Sequence, residues 1–196
     1  MIKTEIVSTV CSMDCYHCPY SSRNSHGEFE IIEPNHSFEA QPGSIYILTG
    51  GEPFESPHIL KQFIDEIGRK QALFRIATGG HINLRSYYIE LFSNVSFLGL
   101  NFGTDVLLRS RSNEAKRVWQ DNWRMFGKLK NTWLTITLSP EFSIESLYNI
   151  LNKLKPRTVM LNECEGGFLD FDNYTHYLQR EFPNTYFVGG YRHETN

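Results

Sequence analysis

Cys11, Cys15 and Cys18 stand near the N-terminus in the pattern C-x3-C-x2-C. Thiolates are soft, anionic ligands that suit iron–sulfur clusters and tetrahedral zinc. This spacing wraps three sulfurs around one centre from a single loop. Three ligands are one fewer than a [4Fe-4S] cluster has irons, so such a loop leaves one iron open to a further ligand. By itself the motif also reads as a structural zinc site or as unrelated thiols. Cys164 completes a four-cysteine alternative, a non-enzymatic metal or redox module with no open coordination position.

Further along, the apolar run at 44–49 ends in Gly50-Gly51-Glu52-Pro53. The run reads as a strand, and ligands of α/β sheets and barrels bind at the C-terminal ends of strands. Glycine lets a backbone approach a ligand closely, so Gly51 and Glu52 can present carbonyls to an ammonium group. The plain alternative is a strand-to-helix turn.

The elements that must hold these residues alternate between two periods. Apolar and β-branched runs at 6–10, 44–49, 73–78, 95–100, 133–138 and 158–161 read as strands, with a seventh expected at 186–188. Between them, apolar residues recur three or four apart. Ile59, Leu60, Phe63, Ile64 and Ile67 form one helical face, opened by Ser56 as N-cap and Pro57 at the first helical position. The other faces are Leu84, Tyr87, Tyr88 and Leu91; Val118, Trp119, Asn122 and Phe126; Leu147, Ile150, Leu151 and Leu154, stopped by Pro156; and Phe171, Tyr174, Tyr177 and Leu178. Asn122 is the one polar member of its face. Residues 19–43 show no helical stripe, and Gly27, Pro34, Pro42 and Gly43 argue for a short helical turn and an irregular excursion. Such alternation predicts an α/β protein with a parallel sheet, and periodicity allows either a barrel or an open doubly wound sheet.

The cysteines follow the first strand and the Gly-Gly-Glu-Pro stretch follows the second. In this order and at this distance the two motifs resemble those of the radical S-adenosylmethionine (radical SAM) superfamily. The resemblance implies a partial (β/α)6 barrel, here one core domain over residues 1–196 without an auxiliary-cluster domain. It implies that Cys11, Cys15 and Cys18 hold a [4Fe-4S] cluster whose open iron chelates SAM. Gly50, Gly51, Glu52 and Pro53 then bind the methionine amine, the Glu52 side chain mainly holding the turn. Reductive cleavage of SAM gives a 5′-deoxyadenosyl radical that abstracts hydrogen from a substrate. The resemblance also implies adenine contact for His17, which stands where relatives carry Tyr, Phe or Trp; metal ligation is its rival role. Asn101, expected at the end of the fourth strand, corresponds to polar residues that contact the ribose or the SAM carboxylate. Arg109 and Arg111 are candidates for that carboxylate, against a plain solvated helix start. Thr78-Gly79-Gly80 resembles a glycine-containing turn at the third strand end. Thr135 and Thr137 make one face of the fifth strand polar. Cys164 is a candidate hydrogen donor, second-site ligand or buried thiol, with Glu163 and Glu165 beside it as binding groups or bases.

The composition limits the alternatives. The chain has 196 residues, a size for one domain, with 40% hydrophobic and 21% charged residues. A net charge of -3 argues against a nucleic-acid binder. No apolar run has the length of a membrane span, so a cytoplasmic location is expected, where four cysteines read as metal ligands rather than disulfides. The expected partners are a peptide, protein or small-molecule substrate and a flavodoxin- or ferredoxin-like electron donor. Peptide modification ranks first, ahead of glycyl-radical-enzyme activation and nucleotide-like substrates. Gly51→Val is expected to weaken SAM binding with normal iron content. His26, His36 and His58 read as surface residues.

Overall fold

The computed structural model describes residues 1–13, 33–109, 112–138, 143–163 and 171–189, with backbone alone at 109, 163, 171–174 and 189. Seven strands form one sheet in the order in which they occur along the chain: β1 (Ile2–Ser8), β2 (Ile45–Gly50), β3 (Leu73–Thr78), β4 (Phe97–Gly103), β5 (Thr132–Leu138), β6 (Thr158–Glu163) and β7 (Tyr186–Gly189). Each strand is parallel to the next. β1 and β7 remain edges, so the sheet is not closed. A doubly wound sheet would reverse its strand order at a switch point. This one never reverses, which decides for the barrel-type winding that periodicity left open.

Helices cover one face. α1 (Pro57–Arg69) buries Leu60, Phe63, Ile64 and Ile67. α4 (Asn113–Phe126), which follows the short α2 (Tyr88–Phe92) and α3 (Asp105–Arg109), buries Trp119, Asn122, Trp123 and Phe126. α5 (Ile144–Leu154) buries Leu147, Ile150 and Leu151, and α6 (Phe171–Glu181) buries Leu178 while Tyr177 stays exposed. Beneath them Leu48, Phe74, Ile76, Leu100, Leu134 and Ile136 are fully buried on the outer face. The alternate residues, among them Thr49, Arg75, Asn101, Trp133 and Thr135, turn to the inner face, as the two-residue period of a strand requires.

Beyond shifts of one or two residues at strand ends, four details differ from the expectations. β1 begins earlier and ends at Ser8, since Val10 is 55% exposed and leads into the loop. β4 starts at Phe97, because the Asn94 side chain accepts the Ser96 amide and turns Val95 outward; it runs on to Gly103, so Asn101 lies inside the strand and not at its end. The Leu84 stripe opens as a 3-10 turn, Leu84–Tyr87, capped by Asn83, before α2. Ser56 occupies the N-cap of α1 without capping it; its hydroxyl donates to Ser8 Oγ instead, at 2.7 Å. Of the irregular excursion, residues 33–43 are described and contain no helix. Phe38 stacks there on Phe63 of α1, with centroids 4.5 Å apart. No helix among the described residues is long and apolar enough to cross a membrane.

Candidate functional site

The C-terminal ends of β1, β2 and β3 meet at a polar cluster. Past the last strand pair, Gly51 N donates to Ser8 O at 2.6 Å and Glu52 N to Val10 O at 2.8 Å. The chain leading to Cys11 is thus zipped onto the Gly50-Gly51-Glu52 backbone. Glycine is required for this approach. Gly50 has φ +118°, and a Cβ there would meet Ser8 O and lie 2.9 Å from Ile6 Cγ2. At Gly51 a Cβ would collide with Val10 O and lie 2.6 Å from the Val10 carbonyl carbon. Gly50 therefore lies against the end of β1, and Gly51 against the backbone that leads to Cys11. Cys11 follows, half-buried and packed against the core.

Glu52 is the buried hub. Its carboxylate accepts from Phe54 N at 3.3 Å, Gly79 N at 2.8 Å and the Thr78 hydroxyl at 2.9 Å. It caps the 3-10 turn Pro53–Glu55, as the resemblance implied, and it also ties that turn to the end of β3. Burial pushes its pKa up to about 7 despite these donors. Between a carboxyl's ordinary value of 4.5 and about 7, the folded protein holds a proton that the unfolded chain has released. Its contribution to stability is therefore full below pH 4.5 and is lost as pH rises through 7, by about 3 kcal/mol in all. His81, held below its ordinary value by burial, contributes the opposite slope on the acid side. Denaturant unfolding of wild type and Glu52→Gln across pH 4.5–8 isolates the first effect: the falling slope should vanish in the variant. Equal slopes would refute it.

Glu55 and His81 extend the cluster. Glu55 accepts from the Ser12 amide at 2.9 Å and from the Ser12 hydroxyl, and lies 2.9 Å from His81 Nε2. Burial acts to raise the Glu55 pKa, but the Ser12 and His81 hydrogen bonds outweigh it and hold the carboxyl below its usual range. An ionised Glu55 makes Nε2 the protonated ring nitrogen, so Nδ1 is the acceptor; it is buried without a partner and faces Glu52 Oε2 at 3.6 Å. Glu55→Ala should release the loop beside Cys11 and speed exchange of the Ser12 amide about tenfold or more. Unchanged exchange would mean that the two zipper bonds alone hold the loop.

The glycine turn after β3 is pinned from behind. Asn122 donates to Gly80 O at 2.8 Å and Ile82 O at 2.6 Å and accepts from Leu84 N at 3.1 Å. The one polar member of the α4 stripe is thus a fully paired anchor for this turn.

The structure brings Gly50, Gly51, Glu52 and Pro53 together with Cys11 and with Thr78, Gly79 and Gly80. Asn101 lies apart, inside the barrel, 1% exposed. Cys15, His17, Cys18, His26, Arg111, Cys164 and Glu165 lie outside the described residues, as do the side chains of Arg109 and Glu163. His36 and His58 are exposed, as expected. Among the described residues no three His, Cys, Asp or Glu side chains converge as a metal site; two of the three motif cysteines are not among them. Sequence reasoning missed Glu55, His81 and Arg75. Glu55 lies three residues past Glu52, His81 directly follows the two glycines, and Arg75 is the one charge in an apolar strand. Each is a visible but weak signal.

No protein-family model matches the chain, and no curated protein matches it significantly in sequence. Solved structures match its fold. SuiB from Streptococcus suis bound to S-adenosylmethionine has a TM-score of 0.70 at 12% identity, over 98% of this chain and 51% of that one. SuiB bound to precursor peptide SuiA gives 0.66 at 12%, over 98% and 49%. Native anSMEcpe with bound AdoMet and Kp18Cys peptide gives 0.62 at 12%, over 95% and 64%. The chain thus spans about half the length of SuiB. At such identities the likeness is one of fold: an α/β partial barrel of the radical SAM type, here an open sheet of seven parallel strands.

Proposed function

We propose that this chain is a radical SAM enzyme acting on a peptide or protein segment. The observation that carries the reading is the seating of the Cys11 loop on the Gly50-Gly51-Glu52 backbone at the C-terminal mouth of the barrel. The backbone leading to the first motif cysteine thereby lies against the glycine stretch of the second motif, where ligands of such sheets bind. The donor set fits a [4Fe-4S] cluster: Cys11 is half-buried beside the zipper, and Cys15 and Cys18 follow it four and seven positions later in the sequence. When bound, the cluster supplies the electron that cleaves SAM to methionine and a 5′-deoxyadenosyl radical, which takes a hydrogen atom from the substrate. The chain's own residues do the rest. Cys11, Cys15 and Cys18 hold the irons, and the zipper with Glu55 fixes where that loop stands. Gly51 and the neighbouring turn meet the methionine end of SAM, while buried Glu52 holds the turn rigid between β2 and β3. The inner face, with Asn101, Thr135 and Thr137, borders the space left for SAM and substrate.

That SuiB has been captured with a precursor peptide, and anSMEcpe with a peptide, supports a peptide-type substrate for a chain of the same fold. A sheet left open between β1 and β7 suits a chain segment entering from the side. A flavodoxin- or ferredoxin-like protein is the electron donor of this reading.

Anaerobic reconstitution should give about four irons and four sulfides per chain. Reduction with SAM should then release 5′-deoxyadenosine, and its yield should rise with a substrate peptide. A chain that holds zinc, with no 5′-deoxyadenosine formed, is the four-cysteine module and refutes the proposal.

A further inference from the structure

The interior of the barrel holds a charge that has no counter-ion among the described residues. Arg75 is 7% exposed in β3, and no carboxylate pairs with it among the described residues. Its Nε donates to Asn101 Oδ1 at 2.8 Å, and Nη2 donates to Leu100 O at 3.2 Å and Asn131 O at 2.9 Å. Its guanidinium lies over the Trp133 ring, 3.9 Å from the centroid. An Arg Nε–H can only donate, so the Asn101 side chain must turn its oxygen toward Arg75. Its NH2 group then points away, and Asn101 Nδ2 is buried with no partner. A buried donor left unmade costs about 1–3 kcal/mol, and such groups are rare in native interiors. Thr135 Oγ1, on the same inner face and one step further toward the mouth, is also buried without a partner.

We propose that Arg75 is a positioning residue, which locks the Asn101 amide so that Nδ2 donates to an oxygen of the ligand held in the barrel. This rests on the radical SAM reading, under which the acceptor is a ribose hydroxyl or the carboxylate of SAM. Arginine suits the task because its planar fork grips two backbone carbonyls while Nε alone faces Asn101. A lysine would keep the charge and lose that geometry.

The test measures the Kd for SAM by equilibrium dialysis on anaerobically reconstituted wild type, Asn101→Ala, Arg75→Lys, the double variant and Asn101→Asp. One lost hydrogen bond corresponds to about a tenfold weaker Kd for Asn101→Ala. Arg75→Lys should weaken binding severalfold in wild type and by nothing further in the Asn101→Ala background, as expected of two residues joined by one hydrogen bond. Asn101→Asp should fold well, since its carboxylate gains an ion pair with Arg75. Where the acceptor is the SAM carboxylate, it should still bind SAM more weakly than Asn101→Ala, because one carboxylate then faces another; a ribose hydroxyl donates to the new carboxylate and keeps the bond. Asn101→Ala carries the test if Arg75→Lys does not fold. 5′-Methylthioadenosine keeps the ribose and lacks the carboxylate, so the same loss with this probe identifies a ribose hydroxyl as the acceptor. Wild-type affinity in Asn101→Ala, or additive effects of Arg75→Lys on SAM binding, overturns the inference alone. Iron-loaded wild type that binds no SAM overturns the radical SAM reading and the inference with it.

Discussion

Alanine at Cys11, Cys15 or Cys18 is expected to remove iron and SAM cleavage together, whereas Cys164→Ala leaves both intact. A cluster held by three thiolates has no spare ligand, so losing one leaves two anchors for four irons. The geometry sharpens the expectation for Cys11. It follows directly on the zipper formed by Gly51 N with Ser8 O and Glu52 N with Val10 O, and the next residue is clamped by Glu55. A sulfur presented from so constrained a backbone is not readily replaced by a neighbouring group. Cys164, by contrast, follows β6, and four strands separate β6 from β1 in the sheet. Iron and sulfide analysis with visible absorption of each variant checks the expectation. Loss of metal in Cys164→Ala, with no SAM cleavage in wild type, would assign all four thiols to one closed site.

The second large effect concerns Gly51. Gly51→Val should lose most of its iron along with its SAM binding. A Cβ at this position would collide with Val10 O, lie 2.6 Å from the Val10 carbonyl carbon and 3.0 Å from the Thr9 carbonyl carbon. All three are backbone atoms, so no side chain can swing aside, and the cysteine loop must lift. This corrects the expectation, formed on the motif alone, that iron content stays normal because cluster and SAM contacts lie on separate loops. The two stretches are separate in sequence, and their backbones are hydrogen-bonded in space through Ser8 O and Val10 O. Forcing such a contact costs about 1–3 kcal/mol or more, enough to break the two zipper bonds. Gly68→Ala serves as control: on exposed α1 its Cβ meets nothing within 4 Å, so it should be neutral or stabilise by about 1 kcal/mol. A Gly51→Val protein that melts like wild type and carries four irons would refute the account.

Much of the chain was legible from its residues alone. Apolar and β-branched runs marked all seven strands, because a sheet buried under helices needs apolar residues wherever it faces them. The stripes of α1, α4 and α5 were legible for the same reason, down to Leu60, Trp119 and Leu151. The two motifs stood out because glycine pairs and closely spaced cysteines are rarely combined without a local backbone or ligand demand. Strand order was not legible: alternation along each strand is the same in a singly and a doubly wound sheet, and only the packing of successive helices on one face decides. Nor was the cluster of Glu52, Glu55, His81 and Ser12, or the grip of Arg75 on Asn101. These pairs lie 26 to 43 residues apart in sequence. A carboxylate or guanidinium has the same identity whether solvated or buried. What it does depends on the donors and acceptors that folding brings within about 3 Å of it, and no spacing along the chain encodes that distance.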